Sequence, residues 1–551
     1  MDGGIVFARW EVLGKSEDLI DSLLESRGLK SKKEKELFLN PKSPYDLSLK
    51  ELKISEAQVK KAAGRLKQAK KKNEKVIVYG DYDADGICST AILWETLYLL
   101  GIDAMPFIPD RFSDGYGLSS ESVKRLKKKN PDLRLIITVD NGIVANKAVE
   151  TANKLGIDVI ITDHHLPGKA KPKAYAVVHT TLIAGSAVSW VFSREILQSF
   201  KEKKEKLGLE LVGIGTIADQ LPLVGANRSF AKFGLIDLNK TKRPGFVCLL
   251  KDAGVKEGEV GTYEINYIIA PRINAMGRLS NGLDSLRLVC TKDVKKALDL
   301  AKNVNDTNIE RQKLVDTVVT HARQSYADIG GKKIIVLSHE SYHEGVIGLA
   351  ASRLVEEFYR PSIVISTKGK IAKASARSIS GFNIIETLRK LEDLWVEGGG
   401  HPMAAGFSIE TAKISEFTKR LEELVEPLLT EELLTKKLRI DLETDFEKLN
   451  WDLVKTLTLF VPMGLGNPTP TFLTRGVEIK EVKPVGQTKK HLKLKLSKGG
   501  KFFDAIAFGF GEYYSELLGK EKVDVVYALE ENVWNGSRSL QLRVKDLKVG
   551  S

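Results

Sequence analysis

The chain has 551 residues, which is enough for roughly three or four domains, and its 42% hydrophobic and 28% charged residues are ordinary for a soluble globular protein. No stretch approaches the about twenty apolar residues that span a bilayer. The start of the chain has no basic, apolar leader, so we expect a cytoplasmic protein without a secretory signal or a membrane partner. Its three scattered cysteines argue against a structural zinc site, and the net charge of +13 favours a polyanionic partner.

The first fifty residues are predicted to form short helices, and helical periodicity spans Lys50 to Lys72. From Val76 to about Leu238, apolar runs alternate with helical patterns, including helices expected over residues 90–100, 119–129 and 146–155. This alternation predicts an α/β fold, a parallel sheet with helices on both faces.

The first apolar run, Val76–Val78, leads into an acidic segment that reads GDYDADG over residues 80–86. It places Asp81, Asp83 and Asp85 at alternating positions just after a predicted strand. Crowded carboxylates repel unless cations lie between them, and hard divalent metals prefer such oxygen ligands. A solvated acidic turn is the alternative for this motif taken alone.

The pattern recurs at three later points of the chain. The runs at 135–139, 159–162 and 212–218 end in Asp140-Asn141-Gly142, in Asp163-His164-His165 and in Asp219. The carboxyl ends of parallel strands lie side by side at one edge of the sheet, where ligands bind. Four strand ends that carry acids therefore predict one shared metal site, against the alternative of four coincidental acidic turns.

The rest of the chain contains three further predicted parts. Residues 265–278 are interpreted as an arginine-bearing loop, and residues 294–327 as one long helix that Gly330-Gly331 ends. A second α/β unit follows, with a helix at 345–358, a strand at 361–366 and a glycine-rich loop at 398–401. After Leu438, six short alternating runs predict a small β-barrel of the OB type, with lysines on one face of the strand at 491–496.

The acidic motifs resemble those of the DHH phosphoesterase superfamily. Within it, further segments resemble the RecJ family of single-stranded-DNA-specific exonucleases, and the resemblance runs from about residue 70 to the C-terminus. These segments are 216–219, 271–278, 343–348, 375–378, 399–406 and 463–468. The resemblance implies an N-terminal helical segment (1–50), a DHH domain (51–293), a connecting helix (294–330), a DHH-associated domain (331–430) and an OB-fold domain (436–551).

The family implies two divalent cations, Mn²⁺ or Mg²⁺, and 5′→3′ hydrolysis of single-stranded DNA to nucleotides, in recombination and repair. Asp140 would bridge the two metals and Asp83 would bind one of them, with Asp81 as a ligand or as an orienting group. Asp85, His164 and Asp219 would bind the other metal. His165 would face the phosphate, and Asp163 could fix a histidine tautomer.

Arginine recognises phosphate through paired hydrogen bonds, so the family's arginine-bearing motifs are expected to hold substrate. The expected substrate-binding residues are Arg111, Arg272, Asn274, Arg278, Ser375, Arg377, Gly399, Gly400 and His401. Among them, Arg111 is a candidate for gripping the 5′-terminal phosphate. We further expect a monomer that works with a single-strand-binding protein and a helicase.

The chain departs from the family pattern at a few positions. Tyr79 stands where some superfamily members carry a histidine ligand, and Tyr342 stands where tryptophan is expected. Position 79 puts in doubt whether Asp81 or water completes one metal site. The segment 179–186 also looks shorter and less family-like than expected.

Two other functions are compatible with part of this pattern. A DHH phosphodiesterase of short oligonucleotides or cyclic dinucleotides would not need the basic β-region after residue 435. A non-catalytic DHH scaffold that binds single strands would have lost metal ligands, whereas this chain keeps its carboxylates and both motif histidines.

Overall fold

The structure is a computed structural model that describes residues 8–14, 18–202, 207–325, 332–534 and 536–549. The predicted helix end at Gly330-Gly331 lies outside these residues. The chain divides into two compact units. The first unit contains residues 29–309 and 459–469, and the second contains residues 1–28, 310–458 and 470–551.

The described strands are β1 (Arg9–Val12), β2 (Lys75–Tyr79), β3 (Ala104–Phe107), β4 (Leu133–Val139), β5 (Asp158–Asp163), β6 (Ala176–His179), β7 (Ile335–His339), β8 (Ser362–Ser366), β9 (Ile371–Arg377), β10 (Trp395–His401), β11 (Ala404–Glu410), β12 (Lys437–Ile440), β13 (Leu442–Glu443), β14 (Phe472–Val485), β15 (His491–Lys498), β16 (Lys501–Ala507), β17 (Lys522–Trp534) and β18 (Ser537–Val549). The described α-helices are α1 (Leu19–Ser26), α2 (Lys32–Leu39), α3 (Glu56–Lys71), α4 (Ala84–Leu99), α5 (Ser120–Lys129), α6 (Asn146–Lys154), α7 (Gly185–Ser199), α8 (Leu209–Ala218), α9 (Gly225–Leu238), α10 (Pro244–Asp252), α11 (Thr262–Glu264), α12 (Ala270–Leu279), α13 (Leu283–Cys290), α14 (Val294–Ser325), α15 (Ile347–Phe358), α16 (Ile384–Arg389), α17 (Ile414–Val425), α18 (Trp451–Leu457) and α19 (Tyr514–Leu517).

The first unit is built on a parallel sheet with the strand order β3-β2-β4-β5-β6. Its central strands are buried along nearly their whole length. Strands covered on both faces need apolar side chains on both, which explains why their sequences are continuous apolar runs and do not alternate. The predicted parallel α/β sheet is confirmed.

The helix after the acidic segment begins six residues earlier than its sequence pattern predicted. Asp83 is its N-cap, and its carboxylate accepts a hydrogen bond of 2.9 Å from the backbone N–H of Gly86. The cap satisfies a donor that would otherwise lack a partner and starts α4 at Ala84. Asp85 therefore lies in the first turn of a helix, where the sequence had suggested a loop.

The fourth apolar run, at 212–218, is a helix and not a strand. Residues 209–218 form α8, which is buried along most of its length and apolar on all sides. Such a helix shows no sequence periodicity, so it resembles a buried strand. Gly213 allows close packing, since a Cβ there would lie 2.8 Å from the Cα of Gly234 on α9. Asp219 follows as the C-terminal cap of α8.

The segment 265–278 is also helical, which corrects the predicted loop. A π-helical turn over Ile265–Ile269 continues into α12, with Pro271 in the first turn of the α-helix. Proline lacks an N–H and interrupts the regular hydrogen bonds of a helix, and here it stands directly after the π-helical turn, where that regular pattern is already broken. Arg272 and Arg278 therefore project from a rigid element.

The second unit contains a five-stranded sheet with the order β10-β11-β9-β8-β7, in which only β7 and β8 run parallel. The glycine-rich segment 398–401 is part of strand β10, not a loop. The long helix α14 is confirmed over 294–325, and the helix and strand predicted at 345–358 and 361–366 appear as α15 and β8.

The C-terminal barrel closes through five strands in the order β14-β15-β16-β18-β17, because β14 also pairs with β17. The runs near Thr471 and Val477 belong to the single long strand β14, so the predicted count of six was wrong. Gly476, at φ +61°, bends this strand next to a break in its pairing with β17. Strand β1, which the sequence did not indicate, pairs with β12.

Candidate metal centre and active site

The ends of β2, β4 and β5 bring the acidic motifs of the first unit together. The amide of Asn141 donates to the carbonyl oxygens of Val139 at 2.9 Å and of Gly80 at 3.1 Å. The backbone N–H of Asp140 donates to the carbonyl of Thr162 on β5 at 3.0 Å. These bonds fix the three strand ends against one another, so the side-chain amide of Asn141 organises the site.

Asp140 has the geometry of a preformed ligand. Its backbone adopts φ +61°, an uncommon conformation for a residue other than glycine, and only 2% of the residue is exposed. In the described structure its buried Oδ1 accepts no hydrogen bond, and a Cβ on Gly185 would lie 2.2 Å from that atom. The fold therefore leaves room around a carboxylate oxygen that needs a positively charged partner.

His164 joins the carboxylates into one cluster. Its Nε2 lies 3.1 Å from Oδ1 of Asp140, 3.6 Å from Oδ2 of Asp219 and 4.0 Å from Oδ2 of Asp85. Three groups of possible ligand atoms lie within 4.8 Å of one another: Asp81 with Asp83 and Asp140, Asp85 with His164 and Asp219, and Asp140 with His164 and His165. The first group contains Asp81, Asp83 and Asp140, and the second contains Asp85, His164 and Asp219, as the expected ligand sets do. Asp140 is not a member of the second group, so its expected bridging role stays a prediction.

Asp85 is held in place by the start of α7. Its two carboxylate oxygens accept hydrogen bonds from the backbone N–H groups of Gly185 at 2.7 Å and Ser186 at 3.0 Å. Glycine at 215 provides room, because a Cβ there would lie 2.2 Å from Oδ1 of Asp85. The segment around 179–186, which departs from the family pattern, thus contributes directly to the orientation of a ligand.

The electrostatics of the cluster call for cations. Burial, followed by the charge of Asp83, raises the pKa of Asp81 to about 8, and burial with the nearby Asp85 raises the pKa of Asp219 to about 8. Burial and four neighbouring carboxylates also raise the pKa of Asp140 well above its usual value. Divalent cations between these oxygens would remove both the repulsion and the desolvation cost. The donor set, carboxylates with one imidazole, fits Mn²⁺ or Mg²⁺.

These pKa shifts predict how a metal should stabilise the protein at different pH values. Without metal, the folded state holds protons on Asp81 and Asp219 up to about pH 8 that the unfolded state has already lost, so its stability falls as the pH rises from about 4 to 8. Mn²⁺ or Mg²⁺ must displace those protons at low pH. We expect the rise in melting temperature on adding either ion to be larger at pH 8 than at pH 5.5. Equal rises at both pH values in the wild-type protein would contradict this.

Asp163 orients the neighbouring histidines and is in none of the three ligand groups. Its carboxylate accepts hydrogen bonds from the backbone N–H groups of Ile143 and His164 and lies 2.8 Å from Nδ1 of His165. Burial alone would raise the pKa of Asp163, but the bond with His165 holds it below the usual value. Burial would lower the pKa of His165, yet Asp163 raises it to about 9. In the absence of metal, the contact with Asp163 therefore favours the cationic form of His165.

Tyr116 is a member of the site that the sequence did not indicate. Its hydroxyl lies 3.0 Å from Nε2 of His165, and more than half of the residue is exposed. The flanking Gly115 and Gly117, both with positive φ, shape the loop that carries it. A lone tyrosine between two glycines carries no chemical signal in a sequence, so only the fold could place it here.

The side chain of Tyr79 makes structural hydrogen bonds. Its hydroxyl donates to the carbonyl of Gly117 at 3.0 Å and also lies 3.3 Å from the hydroxyl of Ser122, and the residue is fully buried. Asp81 belongs to one of the three ligand groups. The absence of a histidine at position 79 is thus compatible with ligation by Asp81.

The structure brings Arg111 and Arg278 to the cluster. The Nε of Arg111 donates to the carbonyl of Gly277 at 3.1 Å, and its guanidinium lies 4.2 Å from the ring centre of Tyr82. Arg278 follows Gly277, where a Cβ would lie 2.6 Å from the carbonyl oxygen of Tyr82, so this end of α12 packs against the acidic segment. Both arginines therefore offer positive charge beside the carboxylates.

Asn274 and Arg272, also on α12, make structural contacts. Asn274 accepts a hydrogen bond of 2.6 Å from the backbone N–H of Ala84 and so holds the first residue of α4. Arg272 donates to the amide oxygen of Asn305 and to the carbonyl of Ile268. These contacts do not place Arg272 in the cluster, and its substrate-binding role stays a prediction.

The predicted substrate residues of the second unit lie on its sheet. Register across β9, β11 and β10 aligns Ser375 with Gly399, and Arg377 with His401, so these four share one face. Arg377 donates to the hydroxyl of Ser375 at 3.1 Å. Gly400 belongs to the opposite face, where a Cβ would lie 2.4 Å from the carbonyl of Ala404, which makes it a packing residue.

In the part of the chain that the structure describes, every helix is too short or too polar to cross a membrane. Three family models match the sequence. They are described as the DHH family N-terminal domain over residues 75–216, the DHHA1 domain over 331–426 and the RecJ OB domain over 440–546.

Curated relatives match almost the entire chain. The single-stranded-DNA-specific exonuclease RecJ of Bacillus subtilis is 34% identical over 98% of this chain and 71% of its own length. That of Escherichia coli is 31% identical over 96% of this chain and 95% of its own length. The crystal structure of RecJ from Thermus thermophilus with Mn²⁺ superposes with a TM-score of 0.83 at 30% identity, covering 98% of this chain and 80% of that one. The same protein with Mg²⁺ gives 0.77 at 28% identity, covering 98% and 79%.

Proposed function

Since this chain belongs to the RecJ family of single-stranded-DNA-specific exonucleases, we propose that it degrades single-stranded DNA from the 5′ end to mononucleotides. The observation that supports this proposal is the largely buried cluster of five aspartates and His164 in the first unit, whose ligand atoms lie close enough together to hold metal ions. A scaffold that had lost catalysis would have no reason to keep carboxylates whose burial raises their pKa values. The RecJ OB domain match favours a nuclease over a phosphodiesterase of cyclic dinucleotides.

We assign two divalent cations, Mn²⁺ or Mg²⁺, to this cluster. Asp140 would be the shared ligand, Asp81 and Asp83 would complete one set, and Asp85, His164 and Asp219 the other. Such ions neutralise the phosphate and lower the pKa of bound water, which makes phosphodiester hydrolysis possible at neutral pH.

The side chains around the ligands would hold the scissile phosphate. His165, oriented by its contact with Asp163, can donate to a phosphate oxygen, and Tyr116 lies beside it. Arg111 and Arg278 add positive charge on the side of α12.

In the second unit, the face with the half-buried Ser375 and Arg377 and the exposed Gly399 and His401 combines donors with a small residue, which allows a nucleic-acid backbone to approach closely.

The direct test of this function is digestion of one oligonucleotide labelled at either end, in Mn²⁺ or Mg²⁺. A 5′ label should appear in mononucleotides from the first time point, and a 3′ label should appear only as digestion nears completion. A fully duplex control should persist, and EDTA should stop the reaction. Early release of the 3′ label would contradict the proposed polarity, and cleavage of cyclic dinucleotides alone would replace the proposed substrate.

Arg278→Ala should affect recognition of the 5′ end. A terminal phosphate carries more charge than an internal diester, so an arginine that reads the end discriminates between the two. We expect KM to rise at least tenfold more for 5′-phosphorylated than for 5′-hydroxyl strands, at fixed salt. Arg272→Ala, on the same helix, is the matched control and should not discriminate. Equal losses on both substrates would move the end-reading role away from Arg278.

The barrel should bind the body of the strand. Lys493 and Lys495 are exposed on β15, while Leu492, Leu494 and Leu496 fill the interior. The double change of both lysines to glutamate should weaken binding of long single strands and reduce its dependence on salt, because fewer phosphate counterions are released. The same double change at Lys128 and Lys129, exposed on α5, is the control. Unchanged affinity and salt slope in the first variant would remove this strand from the DNA path.

Point substitutions are preferable to removing the barrel. The segment 459–469 lies within the predicted OB-fold domain (436–551), so a truncation of that domain would delete it, yet it belongs to the first unit. A truncated chain would therefore lose part of the unit that carries the metal cluster. Its loss of activity would say nothing about DNA binding by the barrel.

We also propose a cytoplasmic monomer that acts in DNA recombination and repair, with a single-strand-binding protein and a helicase as partners. A nuclease specific for single strands needs another activity to unwind duplex DNA, and the positive net charge suits a polyanionic substrate.

A further inference from the structure

A polar cavity of about 590 Å³ lies in the second unit, between helix α14 and the end of strand β7. This volume is in the range of sites that hold small ligands. The helix contributes Lys313, Thr320 and His321 to its wall, at spacings that place them on one face. The end of β7 and the loop after it contribute His339, Ser341 and Tyr342. None of these residues belongs to the proposed exonuclease site.

The hydrogen bonds of His339 leave a donor on its ring. The backbone N–H of Ser341 donates to Nδ1 of His339 at 3.1 Å, so a neutral His339 ring carries its proton on Nε2. Nδ1 of His321 lies 2.5 Å from the hydroxyl of Tyr342, which is 1% exposed, and this contact holds the His321 ring in the wall. An imidazole N–H donor beside a lysine is suited to an anion.

The rings of His321 and His339 form an aromatic surface, which the buried ring of Tyr342 supports from behind. The ring centres of His321, His339 and Tyr342 lie 5.3 to 5.8 Å apart in pairs. Aromatic rings of this kind support nucleobases by stacking, with little dependence on which base is present. Asp316 also lines the cavity and can accept a hydrogen bond from an amino or hydroxyl group.

The cavity also lies at a place in the fold where ligands commonly bind. It adjoins the carboxyl end of β7, which pairs in parallel with β8. Ligands of open α/β sheets bind outside the carboxyl ends of parallel strands. The cavity thus combines anion donors, a lysine, a stacking wall and a favourable location within a single unit.

We propose that this cavity binds a nucleoside monophosphate. The phosphate would contact Lys313, Thr320 and the Nε2–H of His339, and the base would lie against the imidazole rings of His321 and His339. The choice of ligand rests on the proposed function, because a nucleoside monophosphate is the class of product that the exonuclease releases. Binding itself requires neither the metals nor hydrolysis.

The test is titration of the full-length chain with dAMP, dTMP and inorganic phosphate by calorimetry, in EDTA to prevent metal-dependent binding. We expect saturable binding of both nucleotides, at least tenfold tighter than phosphate. His339→Gln and Lys313→Met should each weaken it at least tenfold. Lys302→Met, on the same helix but away from the cavity, is the matched control and should bind as the wild type does.

Three results would overturn the proposal. They are no saturable nucleotide binding by the wild-type chain, nucleotide affinity in both cavity variants equal to that of the wild type, or phosphate binding as tight as nucleotide binding. The last outcome would mean a simple anion site. End-labelled digestion by the same preparations tests the exonuclease separately. Failure of that assay with intact nucleotide binding would reject the proposed function but leave the cavity assignment in place.

Discussion

Asp140→Ala is expected to abolish hydrolysis of single-stranded DNA in both Mn²⁺ and Mg²⁺. Asp140 belongs to two of the three ligand groups, is almost fully buried, and its Oδ1 lies 3.1 Å from Nε2 of His164. Loss of a shared ligand removes the charge that holds both cations. The fall in kcat should exceed the roughly 10- to 100-fold loss typical of a residue that only supports a metal ligand. Affinity for single strands, measured by anisotropy, should be retained.

The matched control for this variant is Asp132→Ala, because Asp132 lies next to the opposite end of strand β4 from Asp140. Asp132 precedes β4 and is exposed, so its loss should change neither activity nor stability appreciably. Asp140→Asn keeps the shape of the side chain and should be as inactive as alanine if charge is what matters. Several per cent of wild-type activity in either Asp140 variant would exclude Asp140 as the shared ligand.

Arg228→Met should cause the largest loss of stability. Arg228 on α9 is fully buried, and its guanidinium donates to the carbonyls of residues 38, 459, 460, 461 and 462 at 2.6 to 3.2 Å. It also lies 4.0 Å from the ring centre of Phe38. Methionine fills similar volume but removes a donor from all five carbonyls; those of residues 460 and 462 keep the amide of Asn467 as a donor. At about 1–3 kcal/mol for each of the other three before relaxation, we expect a net loss of about 3–5 kcal/mol.

The measurement is denaturant or thermal unfolding of the variant followed by fluorescence. Arg228→Lys should also destabilise, because an ammonium has three donors and lacks the planar fork that reaches several carbonyls. Arg134→Met, at an exposed position, is the control and should lie within about 0.5 kcal/mol of the wild type. An Arg228→Met protein that unfolds with the wild type would show that the segment 459–469 is held by other contacts.

The location of the candidate ligands was predictable because these residues follow the ends of strands. Asp81, Asp140 and His164 each come directly after an apolar run, and parallel strands bring their carboxyl ends to one edge of the sheet. Asp219 lies beside His164 as expected, but the reason for including it was partly wrong, because its apolar run is a buried helix. A helix that is apolar on all sides and a buried strand have the same hydrophobic pattern, so local sequence cannot separate them.

Other errors arose where glycine or arginine was taken as a sign of a loop. The segments around Arg278 and His401 are a helix and a strand. Glycines 399 and 406 stand in strands that pair with each other, where they keep one face of the sheet open. Such a glycine lets another chain come close to the sheet and does not make the backbone flexible. Which of these roles a glycine has depends on the strand that lies alongside it.

The sequence by itself determined the ligand types, their order and the parallel sheet, because burial and strand spacing act over a few neighbouring residues. Only the tertiary structure decided which groups meet. It brought Tyr116 to His165, gave Asp85 the backbone N–H groups of α7, and placed Arg228 against a segment more than two hundred residues away. Contacts of this kind depend on chain segments far apart in sequence, and the free energy that fixes them comes from packing, which no local pattern records.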